Sequence, residues 1–250
     1  MPAPTPLFVV GVARSGTTAL TEVLSDHPQV VIGMERFKKL WGERIGELTP
    51  QLLTRERFLD FDDDLTRIRP DRSQRWADFY AKQADRFDQA RYVGEKMTAT
   101  PMEALWQTMP DARFVGIVRR IEEVAASWDA RAARPDDVGW SERLDNERAV
   151  QAWNRNNTRL RRARRQHPER VALVEYGELF GDPDGGALRR LLAWLDLEVT
   201  PEVEESFGQA HRTYVEKVAG KDRTLAPEVE RLLAERVAPR LWHHLSKLTV

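Results

Sequence analysis

The sequence predicts an α/β fold: one domain of three layers, with a central parallel sheet flanked by helices. Three observations carry this. Five short apolar, β-rich runs alternate with helix-length stretches along the chain, the arrangement of a parallel sheet covered on both faces. A glycine-bounded loop joins the first run to the first helical stretch, at the place where such sheets hold their ligands. Finally, 250 residues are enough for one well-buried core and cramped for two equal domains. The domain is therefore taken as residues 1–250.

The elements follow in order. Leu7–Val10 reads as a strand and ends at Gly11. A short loop carries Arg14, Ser15 and Gly16, and Thr17–Ser25 has a helical pattern beginning Thr17-Thr18. The free amides and positive dipole end of such a helix make an anion cradle. The spacing Gly11-x-x-x-x-Gly16 is that of a P-loop, so the fold is P-loop-like, but Thr17 stands where that motif has its lysine. Arg14 supplies the cation instead, which argues against an ordinary ATPase or GTPase.

Val30–Ile32 is a second strand, followed closely by Glu35. The span of about 36–74 is irregular and more aromatic (Phe37, Trp41, Phe58, Phe61) and reads as an insertion over the site. Helix Arg75–Ala90 leads to the strand Tyr92–Gly94, with Lys96 just beyond. Met102–Met109 is helical, and Arg113–Val118 is a buried strand delivering Arg119 and Arg120. Ser127 lies in the helical stretch Ile121–Ala133. Glu142–Gln166 is a long helix, Val171–Glu175 a strand ending at Tyr176, and Gly186–Leu195 a helix. Pro227–Ser246 keeps helical spacing and reads as one terminal helix.

Composition narrows the function. Lys and Arg number 39 against 40 Asp and Glu, so no general affinity for nucleic acid or an anionic membrane follows. The absence of cysteine excludes disulfides, thiolate metal sites and a cysteine nucleophile. The start Met1–Pro6 lacks a basic region, and Leu7–Val12 is too short for a membrane anchor, so a cytoplasmic protein is expected.

The run Arg14-Ser15-Gly16-Thr17-Thr18 resembles, position by position, the first signature of sulfotransferases that use 3′-phosphoadenosine 5′-phosphosulfate (PAPS). In that family it grips the 5′-phosphosulfate. Arg119 with Ser127 resembles the second signature, which binds the 3′-phosphate, although Ile121 replaces the proline of many cytosolic members. A guanidinium and a hydroxyl one or two turns along suit a phosphate. The stretch through Asp26-His27-Pro28 to Glu35 is closest to the tyrosylprotein branch, where the glutamate in this register is the general base. Lys96 matches a lysine that contacts the sulfonate in the heparan and tyrosylprotein branches. The resemblance thus implies PAPS as co-substrate, adenosine 3′,5′-bisphosphate as product, and Glu35, Lys96 and Arg14 as catalytic residues. It implies Arg14, Ser15, Gly16, Thr17, Thr18, Arg119 and Ser127 as nucleotide contacts. Tyr176 resembles a tyrosine near the nucleotide, and Lys217 and Lys221 lie where relatives place a late cofactor loop.

Other polar groups weigh less. Glu43, Glu47 and Glu95 are alternative acids. His27 belongs to a turn, and no histidine has ligand-type spacing, so no metal is expected. Asp62-Asp63-Asp64 and the arginines from Arg159 to Arg165 read as solvated. A P-loop phosphotransferase would need the missing lysine, and a non-catalytic nucleotide-binding protein would not need Glu35 and Lys96. The acceptor is left open among small molecules, sugars and peptides, with the aromatic insertion tilting toward an apolar or aromatic one.

Overall fold

Five strands, β1 (Thr5–Gly11), β2 (Val30–Met34), β3 (Tyr92–Met97), β4 (Arg113–Val118) and β5 (Val171–Glu175), form one parallel sheet in the order β2-β3-β1-β4-β5. The structure is a computed structural model that describes residues 3–62, 65–66, 68–132, 145–220 and 225–250. Strands buried on both faces need continuous apolar runs, and the side chains of β1 from Leu7 to Val10 are fully buried.

Alternation divides those side chains between two cores. Leu7, Val9, Ile32 and Val115 pack with helices α1 (Thr17–Ser25), α7 (Tyr176–Gly181), α8 (Gly186–Trp194) and α9 (Pro201–Lys217). Phe8, Val10, Val93, Met97 and Phe114 face the other way. With them pack α2 (Arg55–Leu59), α3 (Gln74–Arg86), α4 (Met102–Thr108), α5 (Ile121–Ala132), α6 (Asn146–Gln166), α10 (Pro227–Arg236) and α11 (Leu241–Ser246). The three-layer α/β architecture is as the sequence predicts.

Several boundaries differ. β2 and β3 run to Met34 and Met97, beyond the apolar stretches that announce them. The extension is held by pairing of Met34 with Lys96 and of Val10 with Met97. The expected single terminal helix is two, broken between Arg236 and Leu241. Pro239 lies in the break, where it cannot donate an N–H, and Arg240 takes φ 60°. Of the late loop that the resemblance places from His211 to Lys221, the part as far as Lys217 is instead the end of α9.

Both sheet edges are covered. On β2 the N–H groups of Ile32 and Met34 donate to Gln83 Oε1 (3.2 Å) and the Tyr80 hydroxyl (3.0 Å) of α3. On β5 the carbonyl of Leu173 accepts from the Val250 amide (2.9 Å) and that of Val171 from Arg164 Nη1 (3.2 Å). Pinned this way, neither edge offers a free ladder.

The segment after β2 is built from 3-10 turns (Lys38–Leu40, Ile45–Glu47, Pro50–Leu53) and the short α2. Its anchor is Arg36, which has no exposed surface. Arg36 Nε donates to the Phe58 carbonyl (2.9 Å) and Nη2 to those of Arg57 (3.1 Å) and Asp60. A buried guanidinium needs such partners, and here they staple the segment to the end of β2. Phe37 and Phe58 are buried core; Trp41 and Phe61 are half-buried against it. Among the described residues, no helix is long and apolar enough to cross a membrane.

Candidate active site

Because all strands run parallel, their carboxyl ends share one rim. Each delivers a residue singled out by the sequence: β1 the loop Val12–Gly16, β2 Glu35, β3 Lys96, β4 Arg119 and β5 Tyr176.

The loop is held from below by the Ser15 amide on the Val12 carbonyl (3.0 Å) and by the Trp128 indole on the Ala13 carbonyl (3.1 Å). Arg14 (φ 73°) and Gly16 (φ 98°) both take left-handed backbone, an arrangement that turns successive amides toward one side and is uncommon for a residue with a side chain. Ser15 and Thr17 are buried and Thr18 half-buried at the start of α1, whose first amides have no partner within the helix. The Arg14 side chain crosses to α5, its Nε donating to Ser127 Oγ at 3.0 Å.

A Cβ on Gly16 would fall within the Tyr176 ring. Gly16→Ala is therefore expected to lower the urea midpoint, the left-handed backbone alone costing about 1–2 kcal/mol. An unchanged midpoint would mean that ring and loop separate freely.

Arg119 is mostly buried and ties three elements together. Its Nη1 donates to the Arg14 carbonyl (3.0 Å), its Nε to Glu123 (2.7 Å), and its guanidinium lies 4.0 Å from the centre of the Tyr176 ring. The Trp153 indole fixes the Arg119 carbonyl (2.8 Å). Tyr176 in turn meets Phe180 (5.3 Å) and Tyr214 of α9 (5.6 Å) edge-on. Thus Arg14, Gly16, Ser127, Arg119 and Tyr176 form one connected group. Lys217 is exposed in the last turn of α9, three residues beyond Tyr214, and Lys221 lies outside the described residues.

Beside the loop, Lys96 Nζ donates to Glu35 Oε1 at 2.7 Å, and Lys38 Nζ stands 3.5 Å from Oε2. Burial alone would raise the Glu35 pKa, but the two ammonium groups outweigh it and hold the carboxyl below its ordinary value. Glu35 is ionised at neutral pH and, like Arg14, left-handed (φ 53°). Non-glycine residues held there mark sites where surrounding structure over-determines the backbone.

Glu95, the neighbour of Lys96, points to the opposite face. It is fully buried, and its carboxyl is pushed up to about 8, chiefly by desolvation. His27 is a buried turn residue: Nδ1 accepts from the Gln29 amide (3.1 Å) and Nε2 faces the Glu198 carbonyl (3.2 Å). Among the described residues no three His, Asp or Glu come together in a way that could hold a metal ion; Asp63 and Asp64 lie outside those residues. Sequence reasoning missed Lys38, Glu123 and Tyr214. Only Glu123 had a legible signal, its i,i+4 spacing from Arg119.

A parallel five-stranded sheet with a glycine loop after its central strand places the chain in the P-loop-like α/β class. Residues 6–201 match the family model described as the sulfotransferase family, and the chain belongs to that family. It is similar in fold to a sulfotransferase from Alicyclobacillus acidocaldarius, with 20% identity over 97% of this chain and 100% of that one (TM-score 0.51). The sulfotransferase domain of the Synechococcus PCC 7002 olefin synthase is similar as well, with 18% identity over 99% and 94% of the two chains (TM-score 0.52). So is the sulfotransferase domain from the curacin biosynthetic pathway, at 14% identity over 93% and 97% (TM-score 0.50). Comparison with curated proteins finds no match.

Proposed function

We propose that this sulfotransferase moves a sulfuryl group from PAPS to a hydroxyl or amine of an acceptor, with Glu35 as general base, in the manner of the tyrosylprotein branch. The observation that carries the reading is the Lys96–Glu35 pair, 2.7 Å long, on the same rim as the Arg14–Gly16 loop. The donor set fits the nucleotide. A left-handed glycine loop and a helix N-terminus offer amides to one anionic end, and Arg119 with Ser127 offers a second anion-binding group. A ligand phosphorylated at both 3′ and 5′ positions answers both.

When bound, PAPS supplies the sulfuryl group, and adenosine 3′,5′-bisphosphate is the leaving product. Arg14, Ser15, Gly16, Thr17 and Thr18 hold the 5′ end; Arg119 and Ser127 hold the 3′-phosphate; Tyr176 flanks the nucleotide, with Lys217 and Lys221 in reserve at the end of α9 and beyond. Glu35 takes the proton of the acceptor as its oxygen or nitrogen bonds to sulfur. Lys96 and Arg14 neutralise the charge that collects on the leaving oxygen. Segment 36–74 covers the acceptor side, and the acceptor is a small molecule, a sugar or a peptide. A cysteine-free chain suits the reducing cytoplasm.

Titration calorimetry tests the nucleotide. Adenosine 3′,5′-bisphosphate should bind without metal. ADP, lacking the 3′-phosphate, should lose about 2 kcal/mol, more than tenfold in affinity. Mg²⁺-dependent ATP binding stronger than bisphosphate binding would overturn the reading in favour of a phosphotransferase.

A further inference from the structure

Four side chains form a chain of contacts from the sheet to the proposed base. The Glu95 Oε1 accepts two N–H groups, the Phe37 amide and the Trp41 indole, each at 3.1 Å. Those donors stand at the two ends of a single 3-10 turn, closed by the Leu40 amide on the Phe37 carbonyl (3.0 Å) and the Trp41 amide on that of Lys38 (3.2 Å). The turn carries Lys38, whose ammonium lies 3.6 Å from the centre of the Trp41 ring and 3.5 Å from both Thr98 Oγ1 and Glu35 Oε2. A cation on an indole face is attracted by the ring and restrained in place.

We propose that Glu95 is a positioning residue for the base: one of its carboxyl oxygens holds both ends of the Phe37–Trp41 turn, and the turn seats the Lys38 ammonium against Glu35. This rests on the reading of Glu35 as the base.

Glu95 does so as the protonated acid. Its side chain has no exposed surface, and its Oε2 is buried with no hydrogen-bond partner among the described residues. A carboxylate there would leave half its charge unsolvated, which costs far more than an idle O–H. Of the charged groups around it, Glu35 favours the neutral acid and Arg36 the charged form, and burial outweighs Arg36. From the end of β2 come Glu35, ionised and repelling a second negative charge, and Arg36, whose Nε and Nη2 bind the carbonyls of Arg57, Phe58 and Asp60. From the turn comes Lys38, committed to Glu35. From β3 itself Lys96 points to the other face, and from α3 comes Tyr80, whose hydroxyl accepts from the Met34 amide. Two neighbouring acids thus hold opposite protonation states set by their surroundings, the arrangement that separates an ionised base from a neutral hydrogen-bonding acid.

The test uses the whole chain and needs no substrate. In ¹⁵N-indole spectra the Trp41 resonance, assigned by its loss in Trp41→Phe, should titrate with a midpoint near pH 8 in the wild type and stay flat in Glu95→Gln. The Glu35 carboxyl, followed by ¹³C NMR, should titrate at higher pH in Glu95→Ala and in Lys38→Met, and return to the wild-type position in Glu95→Gln. Turnover should fall on the order of ten- to a hundredfold in Glu95→Ala and recover in Glu95→Gln. Should Glu95→Ala fail to fold, Lys38→Met and Trp41→Phe still carry the Glu35 titration and the turnover, and Glu95→Gln carries the Trp41 indole titration. A pH-independent Trp41 resonance in the wild type, or a Glu35 titration unmoved in Lys38→Met, would overturn the proposal. The two NMR titrations proceed whether or not the wild type makes a sulfated product, so the failure of the anchor and the failure of the sulfuryl-transfer reading show separately.

Discussion

Glu35→Gln is expected to lower turnover by roughly two to four orders of magnitude, the usual contribution of a positioned base. Glutamine keeps the size of the side chain and can still accept from Lys96 Nζ, now 2.7 Å from Oε1, so fold and bisphosphate binding should survive. What it loses is the capacity to take a proton. An acceptor already ionised at the assay pH should therefore lose less. Lys96→Ala should differ, losing rate even with that acceptor, because its task lies on the leaving side. The pH profile adds a second check. The Glu35 pKa is depressed, so the base form persists to below the ordinary carboxylate value of 4.5, and the rate that depends on it should fall only below that pH. The stability conferred by its ion pairs has the same sign: present above the unfolded pKa and lost as pH falls through the folded one. Near-normal turnover of Glu35→Gln with a neutral alcohol, read in a PAPS-dependent product assay, would remove Glu35 from the mechanism.

Arg119→Ala should weaken PAPS and adenosine 3′,5′-bisphosphate alike, by more than tenfold, since both carry the 3′-phosphate. The loss should exceed that of one charge-assisted contact. Arg119 also supports the Arg14 carbonyl and packs on Tyr176, so its removal loosens the loop as well. Arg14→Ala should add a different defect, slower turnover at saturating PAPS, because Arg14 stands beside the group in transfer. Product affinity unchanged in Arg119→Ala, measured by calorimetry, would make the pairing of Arg119 with Ser127 a coincidence of spacing.

Much of this was legible in the residues. Parallel strands buried on both faces announce themselves as unbroken apolar runs, and Leu7–Val10 and Arg113–Val118 were placed by that signal. The loop was readable because Gly16 and the Thr17-Thr18 helix start are local features. What failed was whatever broke the association of charge with surface. The apolar pattern of β3 stops at Gly94 because Glu95 and Lys96 follow, yet both lie inside the ladder and both are buried. Gly94 itself is fixed by contact rather than pattern, since a Cβ there would fall on the Leu7 carbonyl of β1. Arg36, with no exposed surface, is satisfied by carbonyls some twenty residues on, a partnership that no local period contains. The resemblance places the end of α9 in a late loop, and the residues do not correct it: the buried positions of this helix, Val203 and Phe207, lie in its first half, which leaves no helical stripe beyond them.

The order of two letters in β3 has a consequence for chain-length mutations. Glu95 and Lys96 are consecutive, so the pleat sends them to opposite faces: the acid toward the Phe37–Trp41 turn, the cation toward Glu35. Deleting Val93, with the carboxyl end of the strand re-paired one step along, would set Lys96 in the place of Glu95, Met97 in the place of Lys96, and Glu95 in the place of Gly94. An ammonium would then be buried against two N–H donors, a thioether would replace the cation beside Glu35, and the glutamate Cβ would fall on the Leu7 carbonyl. Substitutions elsewhere on the rim remove one function at a time. A single-codon deletion in this strand would remove two at once, so libraries built on this scaffold should hold the length of β3 constant and place their length variation in the connection from Thr98 onward.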